Sequence, residues 1–298
     1  MAIVKPKQKS LKNGVYDIVL GSFLVLVIII CLYPFWHVLM YSLSDSKAAM
    51  GGGLFLLPKE FSVRTYMALA KTKRIYTAFG NSVAKTVVGT IFNLVMTTLM
   101  AYPLSQEELR GKRYIHLMMY FTMLFSGGMI PGYILIRNLG LLDTFWVYVI
   151  PGCLSVYHVF ILRSFFVTIP RSLTESARLD GANPIQILCK IIIPLSKASL
   201  ATICVYCVKN EWNSYMDGVL YVNKSRLELL QVYLRRMMLQ AGAINSLSEA
   251  QGSSNISGIT SESVNMTIVC FATFPVIVAY LFLQKYFAKG MMAGAVKG

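Results

Sequence analysis

The sequence predicts an all-α integral membrane protein with six transmembrane helices. Three observations carry that reading. Of 298 residues, 56% are hydrophobic and 14% charged, a balance far from that of soluble domains. Six apolar stretches each run about 20 residues, enough to cross a hydrocarbon core about 30 Å thick. Most connections between them are short, which leaves no room for a large soluble enzymatic domain.

The chain opens with a basic tail, residues 1–16, carrying Lys5, Lys7, Lys9 and Lys12. The apolar run at 17–41 is too long for a signal peptide and no small-residue cleavage site follows it, so it is read as the first span. Residues 42–78 form an extracytoplasmic loop in which Ser62 is placed to cap a short amphipathic helix. The remaining spans are placed at 79–103, 114–136, 144–168, 195–216 and 265–286, within a core of 79–290 and ahead of a C-terminal tail at 291–298. Gly128 and Gly132, split by Pro131, predict a kinked third span.

Basic residues favour the cytoplasmic side of a membrane. With both termini inside, the segments 1–16, 104–113, 169–194 and 287–298 collect Arg110, Lys112, Arg113, Arg171, Arg178, Lys190, Lys289 and Lys297 in addition to the tail lysines. Lys71, Lys73 and Arg74 oppose this assignment from the outer side. The net charge of +15 is accounted for by these flanks, and no basic stripe with interleaved aromatics points to nucleic acid. All six cysteines lie in or beside apolar runs and read as packing residues, the Cys204/Cys207 pair included.

The second span carries Asn81, Lys85, Gly89, Asn93, Thr97 and Ala101 every four residues, one polar and small face on an otherwise apolar helix. Two readings stand side by side. The stripe is a close-packing face, with Lys85 on the order of 9 Å inside the span and snorkelling outward, or it lines a water-filled pathway. The fifth span ends in Asn210, Glu211, Trp212, Asn213, Tyr215 and Asp217. Such a set fits an interfacial aromatic belt and equally a sugar, whose ring faces stack on aromatics while its hydroxyls take hydrogen bonds. His158 in the fourth span reads as a buried histidine or a pathway residue.

Between the fourth and fifth spans, residues 170–198 hold start and stop signals for two short helices. Ser172 and Glu175 have capping-box spacing. Gly181 supplies a left-handed stop, and Asn183 with Pro184 restarts the chain as N-cap and first helical residue. On the orientation above, this docking element faces the cytoplasm. The outer loop 217–264 begins with helical spacing of Leu227, Leu230, Leu234 and Met237, then turns Ser/Asn/Gly-rich from Asn245 to Ser263, a composition that builds no core of its own. No G-x-x-x-x-G-K-[ST] loop is present to cradle nucleotide phosphates, so active transport needs an outside energy source.

Glu175, Ala177, Asp180, Gly181, Ala182, Ile187, Ile191 and Pro194 together resemble the EAA loop of ABC importer permeases. FGNSVAKT in the second span, GGMIPGYILIRNLGLLDTFWVYVIPG across the third and fourth, EWNSY in the fifth and the closing FLQKYFAKGMMAGAVKG are similar to the carbohydrate-uptake branch, the maltose-type second permease subunit, and most like the YtcP/LplC-type oligosaccharide permeases. Ser176 replaces the second alanine of the loop, Ile193 the leucine before Pro194, and Ala198 a common proline.

The resemblance implies a type I ABC importer permease fold with Glu175, Ser176, Ala177, Asp180, Gly181, Ala182, Asn183, Pro184 and Pro194 forming the ATPase-coupling element. It implies a second homologous permease in a heterodimer, two ATPase subunits carrying ATP and Mg, and an extracytoplasmic solute-binding protein, with the lipid bilayer as solvent and no cofactor on this chain. Asn81, Lys85, Asn93, His158, Asn210, Glu211, Trp212, Asn213 and Tyr215 are the candidate substrate-pathway residues. The location implied is the inner membrane of a bacterium, and residues 238–264 fall where such permeases carry a loop that enters the binding protein's cleft. A gradient-driven secondary transporter or channel is the rival reading; few membrane carboxylates and no evident internal repeat speak against it.

Overall fold

The computed structural model describes residues 11–251 and 260–295. Regular structure among them is helical: α1 Leu11–Ser42, α2 Ser46–Ala49, α3 Arg64–Ala70, α4 Lys73–Ser105, α5 Lys112–Leu124, α6 Met129–Asn138 and α7 Val156–Val167. There follow α8 Arg171–Leu179, α9 Pro184–Ile187, a π turn at Leu188–Ile192, α10 Ile193–Leu195, α11 Lys197–Asn213, α12 Met216–Tyr221, α13 Leu230–Gln251 and α14 Ser261–Ala295. The tail lysines Lys5, Lys7 and Lys9, the residues 252–259 and Lys297 lie outside the described residues.

All six apolar stretches are helical, in different ways. Tyr16–Ser42, Lys73–Ser105 and Ser261–Val278 are each long and apolar enough to cross a membrane as one helix. The third stretch is broken rather than kinked: α5 and α6 meet at 112°. The cause is Gly128, whose φ of +90° is a backbone conformation side chains rarely adopt. Pro131 sits in the first turn of α6, where its missing N–H leaves no bond unmade. The fourth stretch, expected at 144–168, becomes a 3-10 turn at Phe145–Tyr148, an irregular link through Pro151 and Gly152, and the twelve-residue α7. Pro151 removes a donor and Gly152 adds entropy to ordering, so apolarity alone did not set the helix length.

The chain forms two compact units, residues 1–71 with 238–271, and residues 72–237 with 272–298. In the first, Met40, Tyr41, Ala49 and Phe55 make a small core, with the Tyr41 and Phe55 rings 4.9 Å apart. The Ser42 hydroxyl lies 2.8 Å from the Tyr66 hydroxyl. The helix expected after Ser62 exists as α3, one residue later than a cap at Ser62 requires: its N-cap is Val63, and the Ser62 hydroxyl accepts from the Arg64 N–H at 3.4 Å. The Ser/Asn/Gly-rich stretch from Asn245 to Ser263 is helical in α13 as far as Gln251 and again from Ser261.

In the second unit α4 packs along α7 and α11. One core joins Ala101, Tyr102 and Leu104 of α4, Met119 of α5, and Val159, Leu162 and Phe166 of α7 to Ile203 and Cys207 of α11. Ile187, Leu188 and Ile192 of the docking element insert into the same core. At the other end, Asn81 donates to the carbonyls of Arg226 and Glu228 at 2.9 and 3.0 Å, and the Ser82 hydroxyl accepts from the Leu230 N–H at 2.8 Å. Asp143 ties the same region: its carboxylate accepts from the backbone N–H groups of Asn223 and Lys224 at 2.6 and 3.1 Å.

Those two donors hold the exposed Asp143 carboxyl below its ordinary value. A lowered native pKa gives stability that is present above the unfolded value of about 3.9 and lost as pH falls through the native one. Hydrogen exchange at the Asn223 and Lys224 amides should therefore accelerate on acidification beyond its intrinsic pH trend. Asp143→Ala should show that fast exchange already at neutral pH.

Candidate functional site

Two constellations stand out, both in the second unit. The first is a polar seam between α4, α7 and α11. Residues four apart on α4 fall on one face, and on this face Lys85, Gly89, Asn93, Thr97 and Ala101 are all buried. Lys85 is 1% exposed, and its ammonium donates to the Glu211 carboxylate and to the Glu211 backbone carbonyl, each at 2.8 Å. Lys85 therefore does not snorkel. A paired cation inside the helix bundle avoids the cost of a lone charge in hydrocarbon, about 2.5–3.5 kcal/mol on insertion scales.

Gly89, one turn further along α4, makes room for that pair. A Cβ there would lie 2.9 Å from the Glu211 carboxyl carbon. One more turn along, the Asn93 carboxamide oxygen lies 3.2 Å from the Thr97 hydroxyl, 3.3 Å from the Cys207 thiol and 3.4 Å from His158 Nδ1. Its amide donates to the Gly152 carbonyl at 3.0 Å, which satisfies the irregular link before α7. His158 and Asn93 are each 5% exposed, so this is a satisfied interior network of the kind that fixes one arrangement. With Nδ1 protonated, His158 donates to Asn93.

The other pathway candidates separate from this seam. Trp212 is not an interfacial belt residue in this chain: it is buried, its indole N–H donates to the Ala272 carbonyl at 3.2 Å, and its ring meets Phe79 edge-on. Asn210 and Asn213 are exposed, and Tyr215 lies half-buried under the Arg235 guanidinium, 4.7 Å from its ring centre. Cys207 was read from the sequence as a packing residue alone. Its place four residues before Glu211 on α11, matching Lys85 and Gly89 on α4, is the signal that would have found it.

The second constellation is the docking element. The left-handed stop forms as expected, with Gly181 at φ +81°. The Ala182 N–H bonds the Ala177 carbonyl at 2.9 Å and the Gly181 N–H the Arg178 carbonyl at 3.0 Å, the two-bond C-terminal motif that satisfies the last free carbonyls of α8. The expected capping box at Ser172 and Glu175 does not form. The N-cap of α8 is Pro170, so Ser172 already lies inside the helix and Glu175 is an exposed carboxylate in its second turn. The capping box sits instead on α9, where Asn183 accepts from the Gln186 N–H at 2.8 Å and Gln186 from the Asn183 N–H at 2.9 Å, with Pro184 next to the cap.

Beyond α9 the helix widens into the π turn ahead of Pro194, which has no N–H to return to the Lys190 carbonyl. The backbone then bends by 84° into α11. Ala177 and Ala182 pack against the core that holds Ile187, Leu188 and Ile192, while Glu175, Ser176, Asp180 and Asn183 are exposed. Leu179 at 89% exposure and Ile185 at 70% flank the Gly181 bend, open to their surroundings among the described residues.

Residues 75–293, which include both constellations, match the family model described as binding-protein-dependent transport system inner membrane component. The chain belongs to this family. It is 37% identical over 288 residues to the polygalacturonan/rhamnogalacturonan transport system permease protein YtcP of Bacillus subtilis, covering 97% of this chain and all of that one. It is 33% identical over 299 residues to protein LplC of the same organism, with both chains covered in full. A chain in the crystal structure of a bacterial ABC transporter involved in import of the acidic polysaccharide alginate superposes with a TM-score of 0.83 at 32% identity, covering 95% of this chain and all of that one. The chain is thus an inner-membrane transport permease with the all-helical ABC importer fold.

The seam yields a test. Lys85→Met leaves the Glu211 carboxylate buried without its cation and should destabilise the permease by on the order of 3–5 kcal/mol. Lys85→Met/Glu211→Leu removes both charges and should recover most of the lost thermal stability in detergent. Equal losses in the single and double variants would show that the pair is not the source.

Proposed function

We propose that this chain is one of two homologous permease subunits in an ATP-driven importer that moves an oligosaccharide, derived from a polysaccharide, across the cytoplasmic membrane by alternating access. The carrying observation is the docking element: two capped helices around a left-handed glycine, apolar on the face turned away from their own chain. Leu179 and Ile185 present the anchors, and Glu175, Ser176, Asp180 and Asn183 the polar rim, for a groove on a cytoplasmic ATPase subunit. ATP and Mg bind on two such subunits. Ala177, Ala182 and the second helix through Pro184 and Pro194 fasten the element to the core, so that closure of the ATPases carries it as a rigid body.

With the element inside, both termini are cytoplasmic, and a solute-binding protein delivers cargo from the other face. A transporter of this fold, in the crystal structure of bacterial alginate ABC transporter with alginate pentasaccharide-bound periplasmic protein, matches at TM-score 0.59 and 16% identity and covers 93% of this chain. It supports the fold of the match. The uronate-rich polysaccharides named for YtcP and for the alginate transporter support an acidic oligosaccharide as cargo. So does the outward placement of Lys73, Lys224, Arg226 and Arg235 in this orientation, against the usual inward preference of basic residues, whereas Arg74 and Arg236 are paired with Glu228.

Gly181 tests the coupling. A Cβ at this position meets nothing within 4 Å in this chain, so only backbone conformation and a partner can object to a side chain. Gly181→Asn, which tolerates the left-handed region, should retain most transport. Gly181→Trp should abolish transport or release the ATPase on co-purification. Normal assembly and transport by the tryptophan variant would overturn the assignment. For the cargo, thermal shift of the cognate binding protein should rise with oligogalacturonates or alginate oligosaccharides and stay flat with neutral maltodextrins.

A further inference from the structure

The second face of α8 is bound to the permease itself, through charges that the family pattern of the loop does not include. Arg171 and Arg178 are seven residues apart, two turns of helix, and so lie on one face. Arg171 pairs with the Glu107 carboxylate. Arg178 holds both Glu108 carboxylate oxygens, at 2.9 and 3.0 Å, and reaches the Gln106 side-chain oxygen at 3.2 Å. Gln106 is the C-cap of α4, its N–H bonded to the Pro103 carbonyl at 3.1 Å, and its own carbonyl accepts from Lys112 at 2.8 Å. Arg163 of α7 closes the same end of α4 by donating to the Leu104 carbonyl at 2.9 Å. A cleft of about 140 Å³ lies between the two segments, lined by Gln106, Glu107, Glu108, Arg171, Thr174 and Arg178 among others.

We propose that Glu107 and Glu108 are positioning residues for energy coupling: they hook α8 by Arg171 and Arg178, so that a displacement of the docking element reaches the cytoplasmic end of α4 directly. The inference rests on α8 being the ATPase seat. The hook adds a route parallel to the apolar one through Ile187, Leu188 and Ile192. All four charged side chains are well exposed, between 39% and 77%, so each bridge alone adds little to folding stability. What the two add is orientation: Arg171 meets both Glu107 oxygens through two nitrogens, a pairing that fixes direction as well as distance, and Arg178 spans two acceptors, Glu108 with one nitrogen and Gln106 with the other. A charge reversal here leaves the fold standing and changes where α8 points.

The test uses the complete transporter, permease pair, ATPases and binding protein, reconstituted in nanodiscs, and needs no sugar. Trapping with ATP, Mg and vanadate should change hydrogen exchange across residues 98–105, the last turns of α4. In Glu107→Arg/Glu108→Arg that ATP-dependent change should fall at least fivefold while the ATP-free exchange stays as in the unmodified protein. Adding Arg171→Glu/Arg178→Glu should restore at least half of it. The milder Glu107→Gln/Glu108→Gln should lose at least twofold. An undiminished change in the acid-reversed variant, or no recovery in the fourfold swap, overturns the hook. ATPase subunits that fail to co-purify with the unmodified permease would instead overturn the seat of α8, a separate outcome.

Discussion

The ammonium of Lys85 is buried between helices and is tolerable there because α11 delivers Glu211 to it in register. That requirement sets the geometry of the second unit. Two bonds of 2.8 Å from one ammonium, to a carboxylate and to the backbone carbonyl of the same residue, fix both the rotation of α11 and its height along α4. Gly89 is small for the same reason, since any side chain would occupy the carboxylate's place. With the height fixed, Cys207 arrives beside Asn93 one turn further in, and Asn93 in turn takes hold of Gly152 and His158. A buried pair of this kind contributes more to specifying one arrangement than to net stability, because desolvation offsets much of its attraction.

Cys207 belongs both to this polar network and to the apolar core below it. That double membership joins the seam to the docking element, because Ile187, Leu188 and Ile192 enter the same core. Interiors packed at crystal-like density transmit displacement rather than absorb it. Ile203 and Cys207 of that core lie on α11, the helix that also carries the Glu211 carboxylate bonded to Lys85, so the two constellations share one helix and one core.

Much of this was legible in the sequence. The four-residue recurrence on α4 named Lys85, Gly89, Asn93 and Thr97 as one face because helical period and side-chain direction leave no other choice. The docking element was legible from Gly181, Asn183 and Pro184, residues whose backbone constraints are local. What was not legible depended on pairing across distance. The fate of Lys85 turned on Glu211, which is 126 residues away, and water competes with a carboxylate for a lysine in any single-helix view. The capping box falls at Asn183 rather than Ser172 because α8 begins at Arg171, two residues too early for Ser172 to stand outside it, and Gln186, not Glu175, had a cap to answer. Trp212 looked interfacial because aromatic belts and buried aromatics share a composition, and only the position of the Ala272 carbonyl separates them.

The absence of a first-helix cap also changes what Glu175 is for. A carboxylate committed to a capping box has its bonding capacity spent inside the chain, and its replacement would act through helix stability. An exposed carboxylate in the second turn of α8 contributes little to that helix beyond a weak interaction with the macrodipole. Its side chain, together with Leu179 and Ile185, is then left for a surface that the permease does not supply. The local fold of the element is carried instead by Ala177, Gly181, Ala182, Asn183 and Gln186, whose bonds are all internal. The residues that hold the element's shape and the side chains it leaves exposed are thus different residues of one short motif.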